Sequence, residues 1–457
     1  MTTTSELGKL QAQFGDVAEY IGNRLSAANP CVVALISKWP TGDLVPGLSD
    51  MDFRVVCDKT TTASDWVQID WHVGRIHREM VEHHPEWNRI NEHTPGAGIS
   101  LTELDHERLH HPEYSVWNVW WGSGEWLSRL KSRTLPRPLC AIDEQYHLAR
   151  FLTYYSPYIH GIDPPINLGA YEPKYALHSR CWHYYAPPML SAATLLARRH
   201  FVGKRESLRW LIENDFAKRQ TQAMLQQVDA HYDTPELSDP SRLDRFEQLL
   251  WTGFQELFEP VCRSVEHLEL PSPFSLVDLK QQVNDLTVDP LMELLENVRF
   301  LRIRASRCYF YLNAPAHFSA NLQLVQEQPW MQKLVTRTLQ LLCRLLGGQG
   351  RSFEECMDVL GVDLDQQQRS ALRFVTTLTA TPTSDTKLRE NFAAAVEILP
   401  HYSRTMEQAF SILSMRSDGA VGKQREGSLI RLDAVHKTAK SSIISMPGLE
   451  PKPSENF

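Results

Sequence analysis

The sequence predicts an N-terminal α+β domain, a small mixed sheet with flanking helices, followed by a large all-α region. Three observations lead there. The first ~130 residues switch between helical and strand periodicity, the strand signal fades after about Ile142, and long helical patterns fill the rest. At 457 residues, with 42% hydrophobic and 22% charged side chains, the chain can bury more than one core.

Each element follows in order. Leu7, Leu10, Phe14, Val17, Ile21 and Leu25 recur at helical spacing, so residues 7–25 form an amphipathic helix that Asn29-Pro30 breaks. Cys31–Ile36 is a short β-rich run and reads as a buried strand. A loop rich in Pro and Gly covers 38–49, and Asp50–Cys57 reads as a second strand. Trp66, Ile69, Val73, Ile76 and Met80 give a helix over 65–83, and Ile99–Leu104 follows the turn Thr94-Pro95-Gly96 as a third strand. Helical patterns then include 190–196, 208–212, 334–346 and 392–413, with connectors near 232–241 and 270–275. The expected domains are 1–140, then a helical part over 141–415 whose first portion is 141–225, then a partly ordered polar tail over 416–457.

Bulk properties exclude several functions. A net charge of −8 and a pI near 6.1 disfavour a general nucleic-acid binder, which needs a basic face. The eight cysteines form no C-x-x-C pair, so neither a zinc site nor a disulfide framework is expected. The N-terminal segment lacks signal-peptide regions, and no apolar run reaches the ~20 residues of a bilayer span. A soluble cytoplasmic protein is the expectation.

Chemistry concentrates in Gly47-Leu48-Ser49-Asp50-Met51-Asp52-Phe53. Residues two apart in a strand share a face, and two adjacent carboxylates repel each other unless a cation lies between them. Mg²⁺, a hard ion bound by one or two carboxylates plus substrate phosphates, fits that need. Twelve residues (38–49) separate Ser37 from the pair. A third acid usually serves such a site as metal ligand or general base. Read as strand residues, Ile99, Leu101, Glu103 and Asp105 share one face, making Glu103 the first candidate and Asp105 the second.

The strand ending in Ser37, the loop and the aspartate pair resemble the DNA polymerase β-like nucleotidyltransferase superfamily. Further segments resemble the streptomycin and spectinomycin adenylyltransferases: the helix around Leu190–Phe201, then Lys204 and Trp210 six residues on; Pro157–Pro165; and Gly124-Glu125-Trp126-Leu127. The resemblance spans about residues 5–215. It implies two Mg²⁺ ions held by Asp50, Asp52 and Glu103, ATP or another nucleoside triphosphate contacted by Ser37, Ser49 and Lys204, and a catalytic acid at Glu103 or Asp105. One departure is Ile36, which stands where those families carry glycine, so the usual close backbone approach to phosphate is altered.

The implied reaction moves a nucleoside monophosphate, AMP first, to a hydroxyl and releases pyrophosphate. A small-molecule acceptor is preferred over a protein; the extra ~240 helical residues point to a larger acceptor or an oligomer interface. The alternatives are a silent nucleotide-binding scaffold, which Ile36 favours, and an enzyme that adenylylates a protein. Arg299, Arg302, Arg304 and Arg307 read first as a salt-bridged helix face and second as an anion site. His77, His83, His84, His93, His106, His110 and His111 match no zinc spacing. Trp117, Trp120, Trp121 and Trp126 read as packing residues, as do Tyr154, Tyr155, Tyr158 and the Trp182–Tyr185 cluster, whose second reading is a stacking surface between domains.

Overall fold

The computed structural model describes residues 4–47, 49–61, 63–88, 90, 96–105, 110–159, 188–214, 219–233, 243–267, 290–313, 320–360, 366–376, 386–390 and 392–393. Helix α1 (Thr4–Ala28) buries Phe14, Val17, Ile21 and Leu25 along one stripe, as their spacing dictates. Strand β1 (Val32–Ser37), strand β2 (Arg54–Cys57), helix α2 (Ala63–His83) and strand β3 (Gly96–Ser100) follow. A fourth strand, β4 (Asn118–Gly122), is not evident from the sequence, where its tryptophans read only as packing residues. Trp and Val suit a half-buried pleated surface, and Trp120 and Trp121 occupy such positions.

The sheet order is β3-β2-β1-β4, with β1 antiparallel to both β2 and β4, and β2 parallel to β3. It is therefore a small mixed sheet. On one face, Leu35 and Val55 pack with Phe14 and Ile21 of α1 and Trp66, Ile69 and Val73 of α2. On the other, Ala34, Ile36, Val56 and Ile99 pack with Tyr114, Trp117 and, from helix α4 (Glu125–Thr134), Trp126, Leu127 and Leu130.

Two sequence expectations need correction. The second strand begins at Arg54, not Asp50. The Met51 N–H donates to the Ile90 carbonyl at 2.8 Å and the Phe53 N–H turns back to the Met51 carbonyl at 2.9 Å, so this stretch is extended but unpaired with β1. Alternation survives all the same: Met51 and Phe53 are buried, Asp50 is half-buried and Asp52 is exposed. The third strand stops at Ser100, and Leu101–Asp105 is a short helix, α3. The Ser100 Oγ accepts from the Glu103 N–H at 3.2 Å while Glu103 Oε2 accepts from the Ser100 N–H at 3.1 Å. That reciprocal capping box starts a helix, so Glu103 and Asp105 are not strand residues.

Helices α5 (Ala141–Ile159), α6 (188–197), α7 (Lys204–Glu213), α8 (Arg219–Asp233) and α9 (Leu243–Arg263) share a core that includes Leu148, Phe151, Leu195, Leu208, Leu225 and Phe254. Helices α10 (Pro290–Asn313), α11 (Ala320–Leu345), α12 (Phe353–Leu360) and α13 (Gln366–Thr376) build a second core around Leu294, Leu301, Phe310, Met331 and Leu342. Helix α10 also packs on α2 and along the edge strand β3. A Cβ at Gly74 would run into Tyr309 and one at Gly96 into Ile303, so these two glycines set how closely α10 approaches. Covering β3 hides an edge that could otherwise pair with another chain.

The seven described cysteines are free thiols. Among the described residues no helix is long and apolar enough to cross a membrane. Most of the helix expected at 392–413, the tail from 416, the connector at 270–275, most of Pro157–Pro165 and Trp182–Tyr185 lie outside the described residues. So do the side chains of Tyr154, Tyr155 and Tyr158.

Candidate functional site

Asp50 and Asp52 reach the sheet where β2 starts and β1 ends. Around them gathers a set of cations that the sequence does not single out. Lys38, one residue past β1, places its Nζ 2.6 Å from Glu113 Oε1; Arg54 lies 3.4 Å from Glu113 Oε2 and Arg150 of α5 lies 3.9 Å from Oε1. Tyr146 donates its hydroxyl to the same carboxylate at 2.6 Å. Glu113 sits in a 3₁₀ turn (Pro112–Val116) just ahead of β4. Burial alone would raise its carboxyl pKa, but Lys38, Arg54, His111 and Arg150 outweigh burial and hold it well below the usual range. Glu113 is thus a fixed anion that positions three cations. Burial also lowers the Lys38 pKa, against the pull of Glu113 and Asp52.

The fourth cation arrives from the helical region. Lys204, the first residue of α7, is buried, with its Nζ 4.5 Å from the ring centre of Trp39 and 5.9 Å from that of Tyr232. Burial brings its pKa down to about 8, while Asp43 and Asp50 act to raise it. Asp43, in a 3₁₀ turn of the loop after β1, accepts from the backbone N–H groups of Lys204 and, at 3.2 Å, Arg205. It caps α7 from a distant segment because the local N-cap, Gly203, has no side chain to offer. Gly203 also leaves the room: a Cβ there would meet the Asp43 carboxylate. Asp43→Ala is expected to cost about 1–2 kcal/mol in urea denaturation. Asp43→Asn should retain part of the cap, and Gly203→Ala should resemble Asp43→Ala.

The other expected site residues are placed as follows. Ile36 turns its side chain into the core under the sheet, fully buried, so it does not project toward the aspartates. Ser37 is buried and pairs with Asn118 of β4. Ser49 is buried and closes its own loop: its Oγ accepts from the Val45 N–H at 2.8 Å. Neither serine is presented at an open surface for phosphate.

Glu103 belongs to α10. Arg302 donates to Glu103 Oε1 from both terminal nitrogens at 3.3 Å and to the Gly98 carbonyl at 2.7 Å, with Arg299 Nε 3.8 Å from Oε2. Arg54 lies opposite Gly96 and Cys57 opposite Ser100 in the parallel β2–β3 pair. Helix α3 therefore begins at the sheet end opposite the one where Asp50 and Asp52 enter, roughly 15 Å along the strand. Asp105 is exposed and pairs with Lys59. The structure does not bring either acid to the aspartate pair, and β3 itself carries no carboxylate.

The arginine run of α10 is largely structural. Arg299 reaches the Tyr114 hydroxyl at 3.3 Å, Arg302 is held as described, and Arg304 binds Glu327 at 2.6 Å. The histidines divide similarly: His77 stacks on Phe310 with ring centres 4.2 Å apart, and His111 reaches Glu296 at 3.0 Å. His110 meets Asp143 of α5 and His200, a cluster formed by three separate segments that no local spacing reveals.

The missed site residues had partial signals. Lys38 directly follows Ser37, and Arg54 lies two residues beyond Asp52 and so continues its side of the chain. Glu113, Tyr146 and Arg150 carry no motif. A hollow of about 320 Å³ beside this network is lined by Lys38, Trp39, Glu113, Tyr146, Arg150 and Thr194 among others. A cationic hollow next to two carboxylates suits a metal-bound polyphosphate better than either a free anion or a free cation. Comparison with protein-family models finds no match, and neither curated proteins nor solved structures yield a significant one.

Proposed function

We propose that the chain binds a magnesium–nucleoside triphosphate, ATP first, and transfers its nucleoside monophosphate to a hydroxyl. The observation that carries this reading is the convergence of Lys38, Arg54, Arg150 and Lys204 on the segment bearing Asp50 and Asp52. The aspartates are the hard oxygen donors that Mg²⁺ requires, and two such ions, when bound, polarise the α-phosphate and acidify the acceptor hydroxyl. Lys204 and Lys38 neutralise phosphate oxygens, and Glu113 keeps Lys38, Arg54 and Arg150 oriented. The acceptor oxygen bonds to the α-phosphorus, the bond to the bridging oxygen breaks, and pyrophosphate leaves. The hydroxyl proton passes to water, since Glu113 is too acidic to serve as a base near neutral pH. A small-molecule acceptor is the first choice, and a protein acceptor is the variant of this reading to check.

The assay is labelled ATP with Mg²⁺ and candidate acceptors, small molecules first and then co-purified proteins examined for an AMP mass increment. Turnover that persists in both Asp50→Ala and Asp52→Ala sinks the assignment. One observation favours a second reading, a silent nucleotide-binding scaffold: the two acids expected to serve catalysis are engaged elsewhere, Glu103 by Arg302 and Asp105 by Lys59. Tight ATP binding with no transfer to any acceptor distinguishes it.

Lys204 makes binding pH-dependent. The charged form attracts phosphate and is lost as pH rises through about 8. Affinity for Mg–ATP is therefore expected to fall on the alkaline side, by up to about tenfold one unit above that value. Calorimetric titration across that range checks it. In Lys204→Arg, whose guanidinium stays charged, the decline should vanish.

A further inference from the structure

A second cluster of ligand-type side chains lies apart from the aspartate pair. His110 Nε2 is 2.8 Å from Asp143 Oδ1, and His200 Nε2 is 3.8 Å from Asp143 Oδ2. One ligand atom from each residue falls within 4.8 Å of the other two. The side chains of Asp143 and His200 are fully buried and that of His110 is 17% exposed. Neither ring nitrogen of His200 has a hydrogen-bond partner, although both are buried. Leaving an imidazole in that state costs about 1–3 kcal/mol, so it needs a reason.

We propose that His110, Asp143 and His200 bind one zinc-class divalent ion. A tetrahedral ion with bonds of ~2.1 Å holds its ligand atoms roughly 3.4 Å apart, between the two distances seen here. Filling the site needs sub-ångström shifts: His110 and Asp143 separate a little, and His200 approaches. Arg137 and the Cys140 N–H, 2.5 and 2.9 Å away, both occupy Asp143 Oδ2, with the Cys140 thiol at 3.2 Å. Oδ1, now facing His110, is the oxygen left for the ion. The fourth position falls to water.

Selectivity follows from the donors. A single carboxylate already neutralised by a guanidinium offers little to Mg²⁺ or Ca²⁺, which depend on several oxygens. Two imidazoles suit Zn²⁺. The ion would be structural. It joins the segment leading to Glu113, through His110, to the start of α5, through Asp143, and to the turn before α7, through His200. Those segments carry the anchor of the cation cluster and Lys204.

The test is Zn²⁺ titration of the full chain against a chromophoric chelator, together with metal analysis of the protein as purified. Wild type is expected to hold one equivalent that excess Mg²⁺ does not displace. His200→Gln and His110→Gln should each weaken Zn²⁺ binding about tenfold or more, while Asp50→Ala and Asp52→Ala leave it unchanged. His110 is partly exposed, so its variant remains informative if the His200 variant folds poorly. The proposal is overturned if wild type takes up no Zn²⁺, or if His110→Gln binds Zn²⁺ as tightly as wild type. It is also overturned if the ion is lost with Asp50 and Asp52, which would place it at the other site.

Discussion

Alanine at Asp50 or at Asp52 is expected to lower nucleotidyl transfer on the order of 10²- to 10³-fold or more, with the double variant little worse than either single one. The two carboxylates act as a unit on the metal, and Mg²⁺ is bound by one or two carboxylates plus phosphates, so losing either removes much of the protein's share. Folding should be nearly unaffected by Asp52→Ala, because Asp52 is exposed and packs against no core. Thermal melts matched to wild type, alongside lost activity, separate this outcome from simple unfolding. A second signature belongs to Asp50 alone. Its charge helps to keep Lys204 protonated, so Asp50→Ala should move the alkaline fall in nucleotide affinity to lower pH, whereas Asp52→Ala should not. A fall in affinity at the same pH in both variants would break the proposed link between Asp50 and Lys204.

Replacing Arg302 should have the largest effect on stability. Its side chain is fully buried and its guanidinium centre sits 4.1 Å from the ring centre of Trp66. Arg302 also ties α10 to Glu103 and to the Gly98 carbonyl. Arg302→Met leaves the Glu103 carboxylate buried with only the more distant Arg299, and breaking a buried pair in this way costs about 3–5 kcal/mol. Removing both charges together, as in Arg302→Met with Glu103→Leu, should recover much of that loss, since a hydrophobic substitute avoids the desolvation penalty. Denaturant unfolding of the singles and the double forms the cycle. Glu103→Gln adds the functional half of the test. It should reduce stability while leaving the transfer rate per folded molecule intact. A loss of catalysis with stability unchanged would return Glu103 to the reaction.

The residues explain why some of this was legible beforehand. Amphipathic runs such as Phe14–Leu25 and Trp66–Met80 encode helix through side-chain spacing alone, and both form as expected. The core strands β1 and β2 were visible in their β-branched runs, but their ends were not, because backbone pairing sets them. Ser100-Leu-Thr-Glu103 shows the limit of periodicity: the same four residues fit a strand by alternation and a helix by their capping box. Period-two reasoning chose the strand; the reciprocal Ser100–Glu103 hydrogen bonds decided for the helix. Strand β4 was hidden because three tryptophans and a valine describe a packed surface before they describe an edge strand.

By itself the sequence determined the order of elements in the first part of the chain, the helical character of the rest, and the aspartate pair with an alternation that survives outside a paired strand. Only the tertiary structure decided what surrounds that pair. Glu103 and Arg302 lie 199 residues apart, and Asp43 and Lys204 lie 161 apart. No local pattern encodes such pairs, because their stability comes from desolvated charges meeting across separately folded segments. Asp50 and Asp52 were legible because two carboxylates in adjacent turns of an extended chain must face each other's charge. The four cations that answer them became apparent only when β1, β2, α5 and α7 were brought together.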